Sequence, residues 1–476
     1  MEIKTCFTPS TTGYMHIGNL RTCLFAYLIA KHDNGKFMLR IDNTDASREI
    51  LGSEEFVYRV MDMFNIKYDE GPRVSNNQNS YYQNERNEIY LKYAEQLVSE
   101  GKAYYCFCNE AKLDKMRIDA EDANQVFIYD EACYNLTQDE IDVKMKYGEP
   151  YVIRLHIDDN ETTSFHDEVY GDIRVFNNVV EDPILIRSDK TATYDFANVI
   201  DDYLFGVTHV VRGSEYLSSM PKYIRIYEAL NVEIPKFIHL PLIVKSNNKK
   251  ISKRNKDDNV MDLINVGFLP DAILNYIAML GWSNNDNREI YSLEELVKVF
   301  DYKNIVKNPA IYDIKKLEWF NRYYINKMSD DDYLAFVKPY LVKYVDISNK
   351  SIDYINNVLL LFKNRIKYGL EIISYVKLFF KDIIDLNDVD NKIVENNKSI
   401  IDKVKAQLLN VNEWKYDNIV NVLKTVSDST DANVYGVIRL KLTGIKSGPE
   451  IAKIIEIFGK DETLKRLGGS EVNETL

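Results

Sequence analysis

The sequence predicts an α/β fold whose parallel sheet is interrupted by an insertion and followed by a largely helical final third. Three observations carry this reading. The chain opens with a strand pattern, a loop and a helix pattern in succession. Strand-like runs return after a mixed stretch of short strands and polar turns, from about residue 102 to 188. Beyond about Lys256 nearly every periodic segment has helical spacing.

Taken in order, Ile3, Thr5 and Phe7 alternate with Lys4 and Cys6, the period of a short strand. Residues 8–13 are rich in Pro, Ser, Thr and Gly, a loop composition. Leu20, Leu24, Tyr27 and Leu28 then recur at helical spacing, and residues 37–41 read as a second strand. This is the opening of a parallel α/β unit. Residues 84–100 predict a helix ending at Gly101. Strands are expected again at 183–186 and 208–211, and as one run at 238–244. Between the last two, Ser218 and Ser219 are candidate caps of a helix with Pro221 in its first turn and Tyr223, Tyr227 and Leu230 on one face. Helices are predicted over 262–280, over 293–300 and over most of 330 to the end, with a domain boundary near Met328.

At 476 residues the chain has room for about two to four domains of roughly 100–200 residues each. A hydrophobic fraction of 45% supports real cores, and 11 prolines and 19 glycines are too few for long disordered stretches. No apolar run is long enough to span a bilayer, and the amino terminus lacks the pattern of a secretory signal, so a cytoplasmic protein is expected. Five cysteines in a chain of this size do not suggest a disulfide scaffold. The net charge of −13 argues against non-specific nucleic-acid binding. It leaves room for a local basic surface, such as Lys245, Lys249, Lys250, Lys253, Arg254 and Lys256.

Two constellations carry chemistry. Pro9-Ser10-Thr11-Thr12-Gly13-Tyr14-Met15-His16-Ile17-Gly18-Asn19 falls between the first strand and the first helix. A helix start offers unpaired N–H groups and a positive dipole end to a phosphate. Gly18 permits close approach of a nucleotide, and His16 can donate to a phosphate oxygen as charge builds. The bland alternative is a buried or capping histidine. Lys250-Ile251-Ser252-Lys253-Arg254 lies more than 230 residues later. Cations there can neutralise the charge that develops on a triphosphate under attack. A third group, Cys106, Cys108, Tyr129 and Cys133, offers three thiolates and a phenolate for a tetrahedral zinc site, against the alternative of three reduced structural cysteines.

Together the first two motifs resemble those of class I aminoacyl-tRNA synthetases. Further segments are similar to the glutamyl branch, in its bacterial form: Arg40-Ile41-Asp42-Asn43-Thr44-Asp45, residues 194–202, residues 208–215, the stretch from Leu269-Pro270 to Trp282-Ser283, and Thr443-Gly444 with Gly448-Pro449-Glu450. The resemblance covers essentially the whole chain. It implies a Rossmann-type catalytic domain (residues 1–101 and 189–256), an inserted acceptor-end-binding domain (102–188), a stem-contact helical domain (257–328) and an α-helical anticodon-binding region (329–476). It implies ATP, Mg2+ and a structural Zn2+ as cofactors, with L-glutamate and tRNA(Glu) as substrates, tRNA(Gln) as a further candidate, and a monomer. Carried over, His16, Lys250 and Lys253 are catalytic, and Pro9, His16, Gly18, Asn19, Ser252 and Lys253 bind ATP. Cys6, Ser10, Asp42, Tyr194, Asn198 and Arg212 line the amino-acid pocket, Asp42 on the α-ammonium and Arg212 on a carboxylate. The zinc ligands are Cys106, Cys108, Tyr129 and Cys133.

The chain departs from the pattern in several places. Asn19 stands where many class I enzymes have a second histidine, Thr11 replaces a proline, Asp42-Asn43 shortens and neutralises a Glu-Asp pair, Ser214 replaces an acidic residue, and Asn135 stands where some members have a histidine. Cys6 occupies the place of an arginine that binds the glutamate side chain. The expected activity is therefore glutamate–tRNA ligation, with a paralogue activating another amino acid, or serving a specialised pathway, as the alternative.

Overall fold

A computed structural model describes residues 2–44, 50–74, 80–124, 127, 129–245, 259–284, 286–380 and 386–468. Its strands are β1 (Lys4–Phe7), β2 (Lys36–Leu39), β3 (Ala103–Cys106), β4 (Val152–Leu155), β5 (Thr162–Asp167), β6 (Gly171–Phe176), β7 (Ile184–Ile186), β8 (His209–Gly213), β9 (Lys236–Leu240), β10 (Ile243–Lys245) and β11 (Ala310–Tyr312). The chain divides into two compact units, residues 1–265 with 270–317, and residues 266–269 with 318–476.

In the first unit a six-stranded sheet runs β2-β1-β8-β9-β5-β6. The pairs β1–β2, β1–β8, β8–β9 and β5–β9 are parallel, and only the edge pair β5–β6 is antiparallel. The helix Ile17–His32 crosses between β1 and β2. It buries Leu20, Arg21, Cys23, Leu24, Phe25, Leu28 and Ile29 and so is covered on most of its circumference. The helices Tyr194–Phe205 and Met220–Leu230 join β3–β4–β7 residues and Phe237 in one core that holds Phe196, Ala197, Val199, Ile200, Tyr223, Ile224 and Tyr227. Strands β3, β4 and β7 form a separate antiparallel sheet in the order β3-β4-β7. The expected insertion thus supplies this small sheet and also β5 and β6, which extend the main one.

Several expectations shift in detail. The single run at 238–244 is two strands, because Pro241 cannot donate to a ladder. After it, β10 leaves the main sheet and pairs with β11, a strand the helical reading of this region missed. The stretch 262–280 is two helices, Val260–Val266 and Pro270–Ala278, separated at Gly267 (φ 98°). Ser219 stands at the N-cap position of Met220–Leu230 but makes no capping bond, since a 3-10 turn over Ser214–Ser219 runs straight into the helix.

The second unit is helical. The helices Asp330–Tyr344, Ile352–Leu360, Lys398–Leu409, Tyr416–Ser427, Val434–Thr443 and Ile451–Arg466 share a core that includes Tyr333, Val337, Val358, Val404, Leu423, Ile438 and Ile454. Ser329 and Ser351 cap the first two through bonds to Asp332 N and Tyr354 N. Among the described residues no helix is long and apolar enough to cross a membrane.

Candidate active site

The loop after β1 and the start of Ile17–His32 form one wall of a cavity of about 260 Å3. Phe7, Thr8, Pro9, Ser10, His16, Gly18 and Asn19 line it on that side. Tyr194, Arg212, Gly213, Glu215, Tyr216 and residues 241–243 close the other. Residues from positions 7–22 and from 194–243 therefore meet at the carboxyl ends of β1, β8 and β9, the place where ligands enter open α/β sheets.

His16 is both a cap and a wall of the cavity. Its Nδ1 accepts from Gly18 N (2.9 Å) and Asn19 N (3.3 Å), while Asn19 Oδ1 accepts from His16 N (3.3 Å). This reciprocal pair is a capping box built from histidine and asparagine. Two of the amides that the helix start was expected to offer a phosphate are thus held by the ring itself. Because Nδ1 accepts, the proton of the neutral imidazole lies on Nε2. Gly18 is required for this fold of the ring: a Cβ there would lie 2.7 Å from His16 Cε1 and 2.9 Å from Nδ1.

Lys250, Ser252 and Lys253 lie outside the described residues, as do Asp45, Lys249, Arg254 and Lys256. Ile243 lines the cavity, and Asn259 makes an antiparallel bridge with His16.

A second cavity of about 40 Å3 is lined by Cys6, Thr8, Arg40, Tyr194, Asn198, Asp202, Val207, Val210, Val211 and Arg212. Thr8, Tyr194, Val211 and Arg212 line both spaces. Tyr194, Asn198 and Asp202 are spaced i, i+4 and i+8, so the helix Tyr194–Phe205 presents them on one face. Asn198 Oδ1 accepts from Arg40 and from Gln83 Nε2 (3.3 Å), and Asp202 Oδ1 accepts from Arg40 Nη1 (3.0 Å). Arg40 also holds both oxygens of Asp42, at 2.8 and 3.3 Å. Asp42 bridges Ser10 through the backbone, but lines neither cavity. Burial raises its carboxyl to about 6 against the pull of Arg40.

Arg212 is the charged group shared by both cavities. Its guanidinium lies 4.2 Å from the Tyr223 ring centroid and 5.2 Å from that of Tyr216. Nε donates to His239 Nε2 at 3.3 Å, and Nη2 reaches the Met220 sulfur. No carboxylate among the described residues pairs with it. Cys6, by contrast, is packed with Met38, Tyr81 and Val207, and burial pushes its thiol well above the usual range, so it offers no charge.

Sequence reasoning overlooked Arg21, Glu215 and Tyr216 as cavity residues. Arg21 is three positions after Gly18 on the same helix, a spacing that signals a shared face. It is buried, donates to the carbonyls of Leu280 and Pro241, and is lowered by burial to about 10. Gly213 makes room for Glu215, whose carboxylate would meet a Cβ at 2.0 Å.

The third group is also assembled. The thiols of Cys106, Cys108 and Cys133 lie within 4.8 Å of one another. Cys108 and Cys133 are 3.7 Å apart, and Tyr129 Oη lies 3.2 Å from Cys106 Sγ and 3.3 Å from Cys108 Sγ. Tetrahedral zinc with Zn–S bonds of about 2.3 Å sets its sulfurs about 3.8 Å apart. Hydrogen bonds from Cys133 and then Tyr129 favour the thiolate form of Cys106. The spacing of these donors therefore fits a closed, sulfur-rich metal site, and Arg154 stacks on the Tyr129 ring at 4.1 Å.

Residues 2–319 match the family described as tRNA synthetases class I (E and Q), catalytic domain, and residues 332–469 match an anticodon binding domain. The chain belongs to this family of class I tRNA synthetases. Within it, the proteins it is similar to include the glutamate–tRNA ligases of Clostridium kluyveri, 42% identical over 479 residues with 98% of this chain and 97% of that protein covered, and of Clostridium tetani, 43% identical over 477 residues with 98% and 96% covered. Among solved structures, the glutamate–tRNA synthetase of Elizabethkingia anophelis matches with a TM-score of 0.90 at 31% identity, covering 98% of this chain and 99% of that one. The glutamate tRNA ligase of Elizabethkingia meningosepticum in complex with its amino acid matches with a TM-score of 0.89 at 30% identity, covering 98% of both chains.

Proposed function

We propose that this chain is a glutamate–tRNA ligase, which activates glutamate with ATP and transfers it to the 3′ end of tRNA(Glu). The observation that carries the substrate assignment is Arg212. A cation without a carboxylate partner among the described residues, stacked on aromatic rings at the junction of two cavities, is a receptor for a substrate carboxylate.

In this reading Pro9, His16, Gly18 and Asn19 seat ATP together with Ser252 and Lys253, and Mg2+ accompanies the triphosphate. His16 donates from Nε2 as charge builds on the phosphate, and Lys250 and Lys253 neutralise that charge. Tyr194, Asn198 and Arg212 hold glutamate. Ser10 lines the larger cavity and takes the α-ammonium, and Asp42, bridged to it through the backbone and held by Arg40, acts on that charge from behind rather than by contact. Cys6 supplies shape without charge. Residues 102–188 receive the acceptor end, 257–328 contact the stem and 329–476 the anticodon. Cys106, Cys108, Tyr129 and Cys133 hold one structural zinc ion. The enzyme works as a monomer in the cytoplasm.

The test is ATP–pyrophosphate exchange with each of the twenty amino acids, with and without tRNA. Glutamate should support exchange when tRNA is present. Efficient exchange with a neutral amino acid and none with glutamate would overturn the substrate assignment and leave the family assignment standing. Charging assays with tRNA(Glu) and tRNA(Gln) separately then define the tRNA range.

A further inference from the structure

Three adjacent strands of the main sheet each place one ionisable side chain in a single line. Arg212 on β8 is in direct register with His239 on β9. Asp167 ends β5, which pairs with β9 at Phe237, two residues before His239. The side chains connect across these pairings. Asp167 Oδ2 accepts from His239 Nδ1 at 2.6 Å, and His239 Nε2 accepts from Arg212 Nε at 3.3 Å. Asp167 and His239 are both fully buried.

The remaining bonds define the protonation. Asp167 Oδ1 accepts from Val169 N (3.0 Å) and Tyr170 N (2.7 Å), and Oδ2 also takes His239 N (3.3 Å), so the carboxylate is turned by the backbone to face Nδ1. A proton on Nδ1 leaves Nε2 with its lone pair toward Arg212. A doubly protonated ring would set an N–H against the N–H of Arg212 Nε. Burial, reinforced by the charge of Arg212, also holds His239 below the ordinary histidine range despite the pull of Asp167.

We propose that Asp167 and His239 are positioning residues for Arg212: Asp167 selects the Nδ1-protonated tautomer of His239, whose Nε2 fixes the guanidinium through Nε, beside the contact of Nη2 with the Met220 sulfur, and leaves Nη1 to face the substrate carboxylate. The inference rests on the reading that Arg212 binds that carboxylate. An arginine held only by ring stacking and a weakly accepting thioether could turn about its long side chain. The acceptor at Nε removes that freedom before the substrate arrives, which favours binding by preorganisation.

The substitution Asp167→Asn tests the tautomer. Asparagine Oδ1 can keep the donors Val169 N and Tyr170 N, giving up only the long bond from His239 N, while its amide now donates to Nδ1 and forces the proton onto Nε2, against Arg212. In aminoacylation assays with saturating tRNA(Glu), Asp167→Asn and His239→Leu should raise the KM for glutamate about tenfold or more, the scale of one hydrogen bond to a charged group, with the KM for ATP within about twofold. His239→Gln, which retains an acceptor near the Nε2 position, should recover most of that loss. Equal rises in both KM values, or His239→Gln as poor as His239→Leu, would mark a merely structural role and overturn the inference. Arg212→Leu separates the two readings. If it leaves the KM for glutamate unchanged, the carboxylate assignment falls and the positioning role with it. If it raises that KM while Asp167→Asn does not, the positioning role alone falls. Independently of any variant's folding, 15N spectra of histidine-labelled wild-type protein should show His239 with Nδ1 protonated and Nε2 bare at neutral pH, and a protonated Nε2 would refute the proposal.

Discussion

Replacing Gly18 with alanine should separate catalysis from folding. The new Cβ would stand 2.7 Å from His16 Cε1 and 2.9 Å from Nδ1, well inside contact distance. Relief is easy, because a ring can rotate away, but rotation breaks the bonds from Gly18 N and Asn19 N to Nδ1. Loss of such an N-cap costs about 1 kcal/mol. Alanine in place of glycine in a helix returns about 0.8–1.0 kcal/mol. The two effects offset, so the thermal midpoint should stay within about 2 °C. Activity should not be spared. With the ring displaced, the donor for the developing phosphate charge is lost, a change worth ~2.7–4 kcal/mol or about 100- to 1,000-fold in rate. Rapid-quench measurement of glutamyl-adenylate formation with tRNA bound, beside thermal unfolding, reads both quantities. A Gly18→Ala enzyme that forms adenylate within about threefold of wild type would refute the assignment of His16. A large loss of stability would refute the offset of cap against propensity, because the fall in rate would then follow from unfolding.

Four further outcomes are expected. Lys253→Ala should slow single-turnover adenylate formation by ~2.7–4 kcal/mol of barrier while weakening tRNA binding far less, and an unchanged rate would remove Lys253 from the transition state. Despite the net charge of −13, tRNA affinity should fall steeply between low and physiological salt, because phosphate contacts release counterions; a flat titration would contradict a basic docking surface. Protein purified without chelators should contain close to one equivalent of zinc, lost in Cys108→Ser, whereas metal-free wild type would leave the three thiols purely structural. Cys6→Arg should improve glutamate use or leave it unchanged. Because the adjoining cavity holds only about 40 Å3, the added bulk should cost about 1–3 kcal/mol of stability, and a loss of glutamate activation without any loss of stability would count against the pocket assignment.

What the sequence determined by itself is what short-range chemistry dictates. The strand at positions 3–7, the loop after it and the helix that follows are legible because their periods and punctuation are local, and the His16–Asn19 box joins positions only three apart. The face formed by Tyr194, Asn198 and Asp202 is equally local, since helical geometry alone aligns positions four apart. The joining of residues near 10 with those near 194, 212 and 242 at one cavity was legible only through family resemblance, as no spacing rule connects them. Tertiary structure decided the rest. The period of a strand says which residues share a face but not which strand lies beside it or in what register. That is why β5 and β6 could be read as part of a separate insertion, although they pair onto the main sheet. It is also why the line from Asp167 through His239 to Arg212 was invisible. Its members are 72 and 27 residues apart, and only the register of β5, β9 and β8 sets their side chains within hydrogen-bonding distance.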